Sequence, residues 1–173
     1  MKASDFDGDL SAFLSLYKYQ PELTIHLDNL DNASIDQAKI NEIVLWKVNR
    51  YVTLGEDAIA QLKKLQTLRT GEYAKGREML KLLLGIKGVD LPMASTILRF
   101  INPKVYQIID RHAYRAVYDK NYPLYHSTPV EKKMAVYFDY LADLLNLCQK
   151  KGLIFATVDR LLYIFDKQQN GNL

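Results

Sequence analysis

The sequence predicts an all-α fold with a helix–hairpin–helix at its centre, on three observations. Apolar residues recur at helical spacing along most of the chain. A glycine-bearing hairpin joins two apolar helical runs between Leu82 and Phe100. The runs with strand character, such as Leu23–Leu27, are short and have no evident partners.

The elements follow in order. Leu10, Phe13, Leu14 and Tyr17 mark a first helix that Pro21 stops. After the turn-like Asp28–Asn32, a second helix starts near Ser34, with Ile40, Ile43, Val44 and Val48 as its stripe and Leu45 and Trp46 broadening it. A third follows Gly55 through Ile59, Leu62 and Leu65, and a fourth runs from about Tyr73 into Leu84. Thr128-Pro129-Val130-Glu131 reads as a capping box with proline at the first helical position. The helix it opens runs to about Lys151, where Gly152 ends it. Thr157–Lys167 is a last amphipathic helix, and Gln168–Asn172 a frayed tail. About eight helices in one compact domain spanning 1–173 are expected.

Composition narrows the classes. At 173 residues, with 49% hydrophobic and 25% charged residues, the chain is globular rather than disordered. No apolar run reaches the roughly 18–20 residues a bilayer crossing needs, and the acidic N-terminus lacks a secretory h-region, so no membrane association is expected. A single cysteine, Cys148, excludes an intramolecular disulfide and a four-cysteine iron–sulfur or zinc site, and a reducing cytoplasmic location fits. The net charge of +3 permits a nucleic-acid partner without arguing for one.

The informative stretch is Leu82–Phe100. Asp90 suits the N-cap of the second helix and Pro92 its first turn. Small Ala94 and Ser95 let two helices approach. Backbone N–H groups at the hairpin and helix start suit a phosphate oxygen, and Lys87 adds a full charge. On the hairpin alone, a ligand-free helical corner explains these residues equally well.

Downstream, Ile101–Ile109 forms an extended apolar connection to Asp110-Arg111-His112-Ala113-Tyr114-Arg115-Ala116-Val117. Here the chain resembles the helix–hairpin–helix DNA glycosylase superfamily, whose hairpin reads L-P-G-V-G-x-K-x-A and whose later motif reads V-D-x-H-x-x-R-V. Ile86–Ala94 falls on the first without a gap, and Asp110, sixteen residues after Ala94, falls on the aspartate of the second. His112 and Arg115 take the following motif positions. The resemblance covers Tyr73–Tyr118, with the hairpin motif at about 73–100 and the aspartate motif at 108–118. Trp46-Lys47 and Val158–Tyr163 resemble helices of small uncharacterised members.

The resemblance implies a two-lobed helical glycosylase-like fold, with Asp110 at the floor of a cleft. It implies a double-stranded DNA partner, gripped by Lys87, Gly88, Val89 and Asp90 with Arg111 and Arg115 as a basic rim. It also implies a monovalent cation, Na+ or K+, on the carbonyls of Leu84, Ile86 and Val89, and no other cofactor. Asp110 would stabilise the cationic sugar as a base leaves, or orient water. Pro92 stands where bifunctional members carry a lysine that attacks C1′, and Lys87 is poorly placed to replace it. The implied activity is therefore monofunctional base excision without lyase chemistry, or none: a non-catalytic helical DNA-binding or protein-interaction module is the alternative. Asp90 replaces the second hairpin glycine and puts a carboxylate near the phosphate position.

Plainer roles account for the remaining candidates. Asp110 is also a good N-cap for Arg111–Tyr114. His112 suits a hydrogen-bonding or packing role more than metal ligation. His26 and His126 lack neighbouring ligands, and Cys148 sits among leucines as a core filler. Most of the 12 tyrosines should pack, with one or two free to stack on a flipped base. A solvated helix face explains Arg111, Arg115 and Lys120 as well as a basic rim does.

Overall fold

The computed structural model describes residues 1–30, 35–48 and 54–172, without the side chain of Val48. The helix start expected at Ser34 and the stripe position at Val48 fall outside that description. Among the described residues there is no strand, and eight α-helices carry the fold. They are α1 (Pro21–Asp28), α2 (Gln37–Val48), α3 (Glu56–Leu65), α4 (Arg77–Leu84), α5 (Leu91–Ile101), α6 (Arg111–Tyr118), α7 (Val130–Lys151) and α8 (Val158–Asn170).

Helix α5 is the axis of the core: every residue from Leu91 to Ile101 except Pro92 is buried. Around it pack α2, α3 and α4, with α7 against α4. A second packing unit joins α6 to α8, and the 3-10 helix Leu10–Leu16 lies against α8. Phe6, Phe13 and Phe165 close that side as a triangle of edge-to-face rings with centroids 5.3–5.5 Å apart.

Several expectations change on contact with the fold. Leu23–Leu27, the candidate strand, lies inside α1. Pro21 does not stop a helix but starts one, at the N-terminal position where its missing N–H costs nothing. The helix read over Leu10–Tyr17 is 3-10 rather than α, with Asp9 accepting the Ser11 N–H. The capping box at Thr128 does not form. Pro129 is the N-cap, and the Thr128 hydroxyl accepts the Tyr125 N–H instead. Glu131, freed from that box, pairs with Arg77 at 2.5 Å and Lys81 at 3.3 Å, pinning α7 to α4. The tail from Gln168 to Asn170 continues α8.

The connection after α5 is what delivers Asp110. Ile101 still belongs to α5, and the segment opens with a turn over 103–105, in which Val105 and Tyr106 donate their N–H groups to the Asn102 carbonyl. It is thus not extended throughout as expected, and three residues from elsewhere satisfy its backbone. Ser95 Oγ accepts the Ile109 N–H, while Tyr137 and Tyr140 donate to the carbonyls of Gln107 and Ile108 at 2.9 Å. Asn102 Nδ2 donates to the carbonyls of Leu65 and Leu68, tying the start of the segment to the end of α3. Buried polar backbone with partners of this kind holds one path.

Candidate functional site

Asp110 caps α6. Its backbone is extended, its Oδ1 accepts the Ala113 N–H at 2.8 Å, and its carbonyl accepts from Tyr114. The other carboxylate oxygen is directed elsewhere: Oδ2 lies 4.0 Å from Lys47 Nζ. Both side chains line a pocket of about 150 Å³, with Tyr17, Tyr19, Trp46, Ile108, Ala113, Asp159, Arg160 and Tyr163. That volume is below the ~300–1,000 Å³ of drug-sized ligand sites.

Trp46 sets the position of Lys47. Its buried indole donates from Nε1 to Thr24 Oγ1 at 2.7 Å and packs edge-on against Tyr19 and Phe100. The Trp46 carbonyl accepts from both Tyr19 Oη and Gln20 Nε2. Gln20 itself is held at φ +39, a left-handed conformation costly for a residue with a side chain. The Lys47 ammonium makes no hydrogen bond with any described residue; it lies over the Trp46 ring, 6.0 Å from its centroid, and its charged neighbour among the described residues is Asp110.

The opposite wall comes from α8. Asp159 is 4% exposed and accepts the Arg160 N–H on Oδ1. Its Oδ2 stands 3.5 Å from buried Arg99 Nε without a hydrogen-bond partner among the described residues. Asp28 receives both Arg99, at 2.5 Å, and Arg160, so two carboxylates and two guanidiniums alternate behind the pocket. Burial alone would raise the Asp28 pKa, but those two arginines hold it below the usual carboxylate range. Burial and the nearby Asp159 charge raise the Tyr17 pKa well above that of a free phenol. Tyr17 is thus a neutral hydroxyl at physiological pH rather than a base.

The turn between α4 and α5 is the second feature. Gly88 sits at φ +85 with open space around it, and Lys87 and Gly88 are exposed. Among the described residues nothing accepts the N–H of either, whereas Val89 donates its N–H to the Ile86 carbonyl within the turn. Val89 is buried, so its side chain holds the turn to the core. Asp90 caps α5 by accepting the Leu91 N–H at 2.7 Å, since Pro92 offers none. Its charge is answered by Lys133 of α7, nearly buried, with Nζ 2.8 Å from Asp90 Oδ1 and donating to the His126 carbonyl. Burial, with the Asp90 and Asp110 charges next, raises the Tyr122 pKa well above that of a free phenol.

The remaining candidates separate. Arg111 is exposed and has no ion pair among the described residues. Arg115 is differently placed: it grips buried Asp166 through Nε and Nη2 and donates to the Gly171 carbonyl. His112 Nδ1 shares Asp166 at 2.7 Å, a hydrogen-bonding role, and its ring packs edge-on against Tyr163 of the pocket. Cys148 is buried, which pushes its thiol up to about 11 and leaves it unreactive at neutral pH. Among the described residues no cluster of His, Cys, Asp or Glu could hold a metal ion, and no helix is long and apolar enough to cross a membrane.

Lys47, Lys133, Asp159 and the tyrosines lining the pocket escape sequence reasoning as site residues. Each comes from an element more than 40 residues distant from the motif partner it meets, and no local pattern marks such a meeting. The closest signal was the Trp46-Lys47 pair. No family model, no curated protein and no solved structure matches the chain.

Proposed function

We propose that this protein binds double-stranded DNA as a member of the helix–hairpin–helix glycosylase superfamily, and excises a damaged or mispaired base as a monofunctional N-glycosylase. The observation that carries the reading is Asp110: a carboxylate that caps a helix through Oδ1 and lines a small pocket with Tyr17, Tyr19, Trp46 and Tyr163. A base extruded from the duplex stacks on such rings. The carboxylate beside its sugar then stabilises the cationic, oxocarbenium-like C1′ as the base departs, and orients the water that completes hydrolysis. The Lys47 Nζ stands 4.0 Å from the Asp110 Oδ2 at that site.

The α4–α5 turn supplies the grip. The Lys87 and Gly88 N–H groups, which have no acceptor among the described residues, the Lys87 charge and a glycine in a left-handed conformation suit a backbone phosphate. Lys133 answers the Asp90 carboxylate that would otherwise repel it. The carbonyls of Leu84, Ile86 and Val89 are the candidate ligands of a monovalent cation there; that of Ile86, which accepts the Val89 N–H, keeps a second lone pair. Of the arginines, Arg111 is free to reach DNA and Arg115 serves Asp166.

The test is single-turnover excision on duplexes carrying uracil, 8-oxoguanine, 3-methyladenine or hypoxanthine. Asparagine caps helices as well as aspartate, so Asp110→Asn keeps the fold. The variant should lose about 10²–10⁴-fold in rate while holding its DNA affinity. A second reading, the non-catalytic module, draws on the same cap: Asp110 Oδ1 is fully accounted for by the Ala113 N–H. On that reading no duplex is cleaved, and removing the cap with Asp110→Ala costs only about 1 kcal/mol of stability.

A further inference from the structure

The segment between α6 and α7 brings one histidine to the α4–α5 turn. Thr128 closes a turn in that segment: its N–H donates to the Tyr125 carbonyl, and its Oγ1 accepts the Tyr125 N–H. Lys133 of α7, nearly buried, donates from Nζ to the His126 carbonyl at 2.9 Å and stands 2.8 Å from Asp90 Oδ1. One ammonium therefore joins this segment to the N-cap of α5. The backbone of His126 is pinned while its imidazole is left 89% exposed, with Nδ1 3.9 Å from Asp90 Oδ2.

The geometry points to His126 as a further phosphate-binding residue, which grips DNA as an imidazolium and so makes duplex binding depend on pH. That role rests on the α4–α5 turn being the DNA grip proposed above.

A histidine that serves only as the counter-charge of Asp90 fits the observations less well. Asp90 Oδ1 already has the Lys133 ammonium and the Leu91 N–H. At 3.9 Å the imidazole lies beyond hydrogen-bonding distance of Oδ2, so that carboxylate does not tie it down. The position instead gives a second cationic edge to a turn whose Lys87 and Gly88 N–H groups have no acceptor among the described residues. Histidine is the side chain whose charge changes between about pH 5 and 8, gaining a proton as pH falls. The charged groups facing His126 among the described residues are Asp90, from the start of α5, and Lys133, from α7. Tyr122, in the same segment, stays a neutral phenol over that range, because burial raises its pKa well above that of a free phenol. Lowering the pH thus adds a positive charge beside the turn, and a phosphate held by it releases one more counterion.

The measurement is binding of a fluorescein-labelled duplex to the full chain by anisotropy, over a range of salt, at about pH 5.5 and about pH 8. The unaltered protein should bind more tightly at the lower pH, with log K against log salt steeper there by about 0.9, the share of one phosphate. His126→Gln should lose that difference and match the unaltered protein at the higher pH. The substitution keeps the main-chain carbonyl that Lys133 holds and alters a side chain that is mostly in solvent, so the fold is preserved. His126→Arg, charged at both values, should show the steep slope at both. His26→Gln, on α1 and paired with Glu42, should respond to pH like the unaltered protein. A pH difference that survives His126→Gln overturns the assignment. So does an unaltered protein whose salt slope is equal at the two pH values, and then the DNA reading survives alone. No salt-sensitive binding at either pH overturns both.

Discussion

At the scale of single residues, the path of the chain into the site turns on contacts that tolerate no added atom. Gly76, just before α4, is such a place. A β-carbon there would stand 2.1 Å from Tyr106 Oη and 2.9 Å from its Cζ, and Tyr106 is wholly buried in the connection that leads to Asp110. The ring has no room to retreat, so Gly76→Ala forces the connection outward. Overpacking of this kind costs about 2 kcal/mol, readable as a lower urea midpoint at unchanged m-value. Removing the hydroxyl with Tyr106→Phe in the same chain relieves the closest clash and should return part of the loss. A double-mutant cycle that shows no coupling would place the strain elsewhere.

Elements are held together by buried charge, and the α6–α8 clasp is the clearest case. Asp166 is fully buried on α8 and accepts from Arg115, His112 and Asn170. Burial pushes its pKa up, but the three donors outweigh it and hold the group below the usual aspartate range. A depressed carboxylate contributes stability that is fully present above its unfolded pKa of about 3.9, and that fades as pH falls through the folded value. Asp166→Asn should therefore cost about 3 kcal/mol at pH 7, because it leaves Arg115 without its anion. Its stability should also fall less steeply than the parent's between pH 5 and 2; parallel acid limbs would show that Asp166 does not titrate there. Legibility follows the same division between local and remote. The cap at Asp110 and the Gly152 stop were readable because capping is decided within four residues. Leu23–Leu27 was not, because five apolar-rich residues carry no decisive period, and Pro21 marks a start as easily as a stop. Within the candidate site, the aspartate and the glycine turn were legible. Lys47, Lys133 and Asp159 were not, since their places depend on how α2, α7 and α8 pack.

For the whole molecule, the question is how a chain with a net charge of only +3 could hold a polyanion. Part of its positive charge, including six of the 23 lysines and arginines, is answered by carboxylates within the fold. Arg99 and Arg160 face Asp28, Arg115 faces Asp166, Lys133 faces Asp90, and Arg77 and Lys81 face Glu131. Lys87 at the turn and Arg111 at the start of α6 are exposed and have no ion pair among the described residues. Affinity should then come from a few phosphate contacts rather than a broad basic face, and its salt dependence should be shallow. Each phosphate neutralised contributes a slope of about −0.9 in log K against log salt. Lys87→Gln and Arg111→Gln should each weaken duplex binding evenly across sequences and flatten that slope by about 1. Arg115→Gln should leave the slope alone and instead lower the melting temperature, because its guanidinium serves the α6–α8 clasp. Binding titrations at several salt concentrations separate the two behaviours. A slope unmoved by Lys87→Gln and Arg111→Gln together would remove the turn and the start of α6 from the proposed interface, and with them the proposed approach of DNA to Asp110.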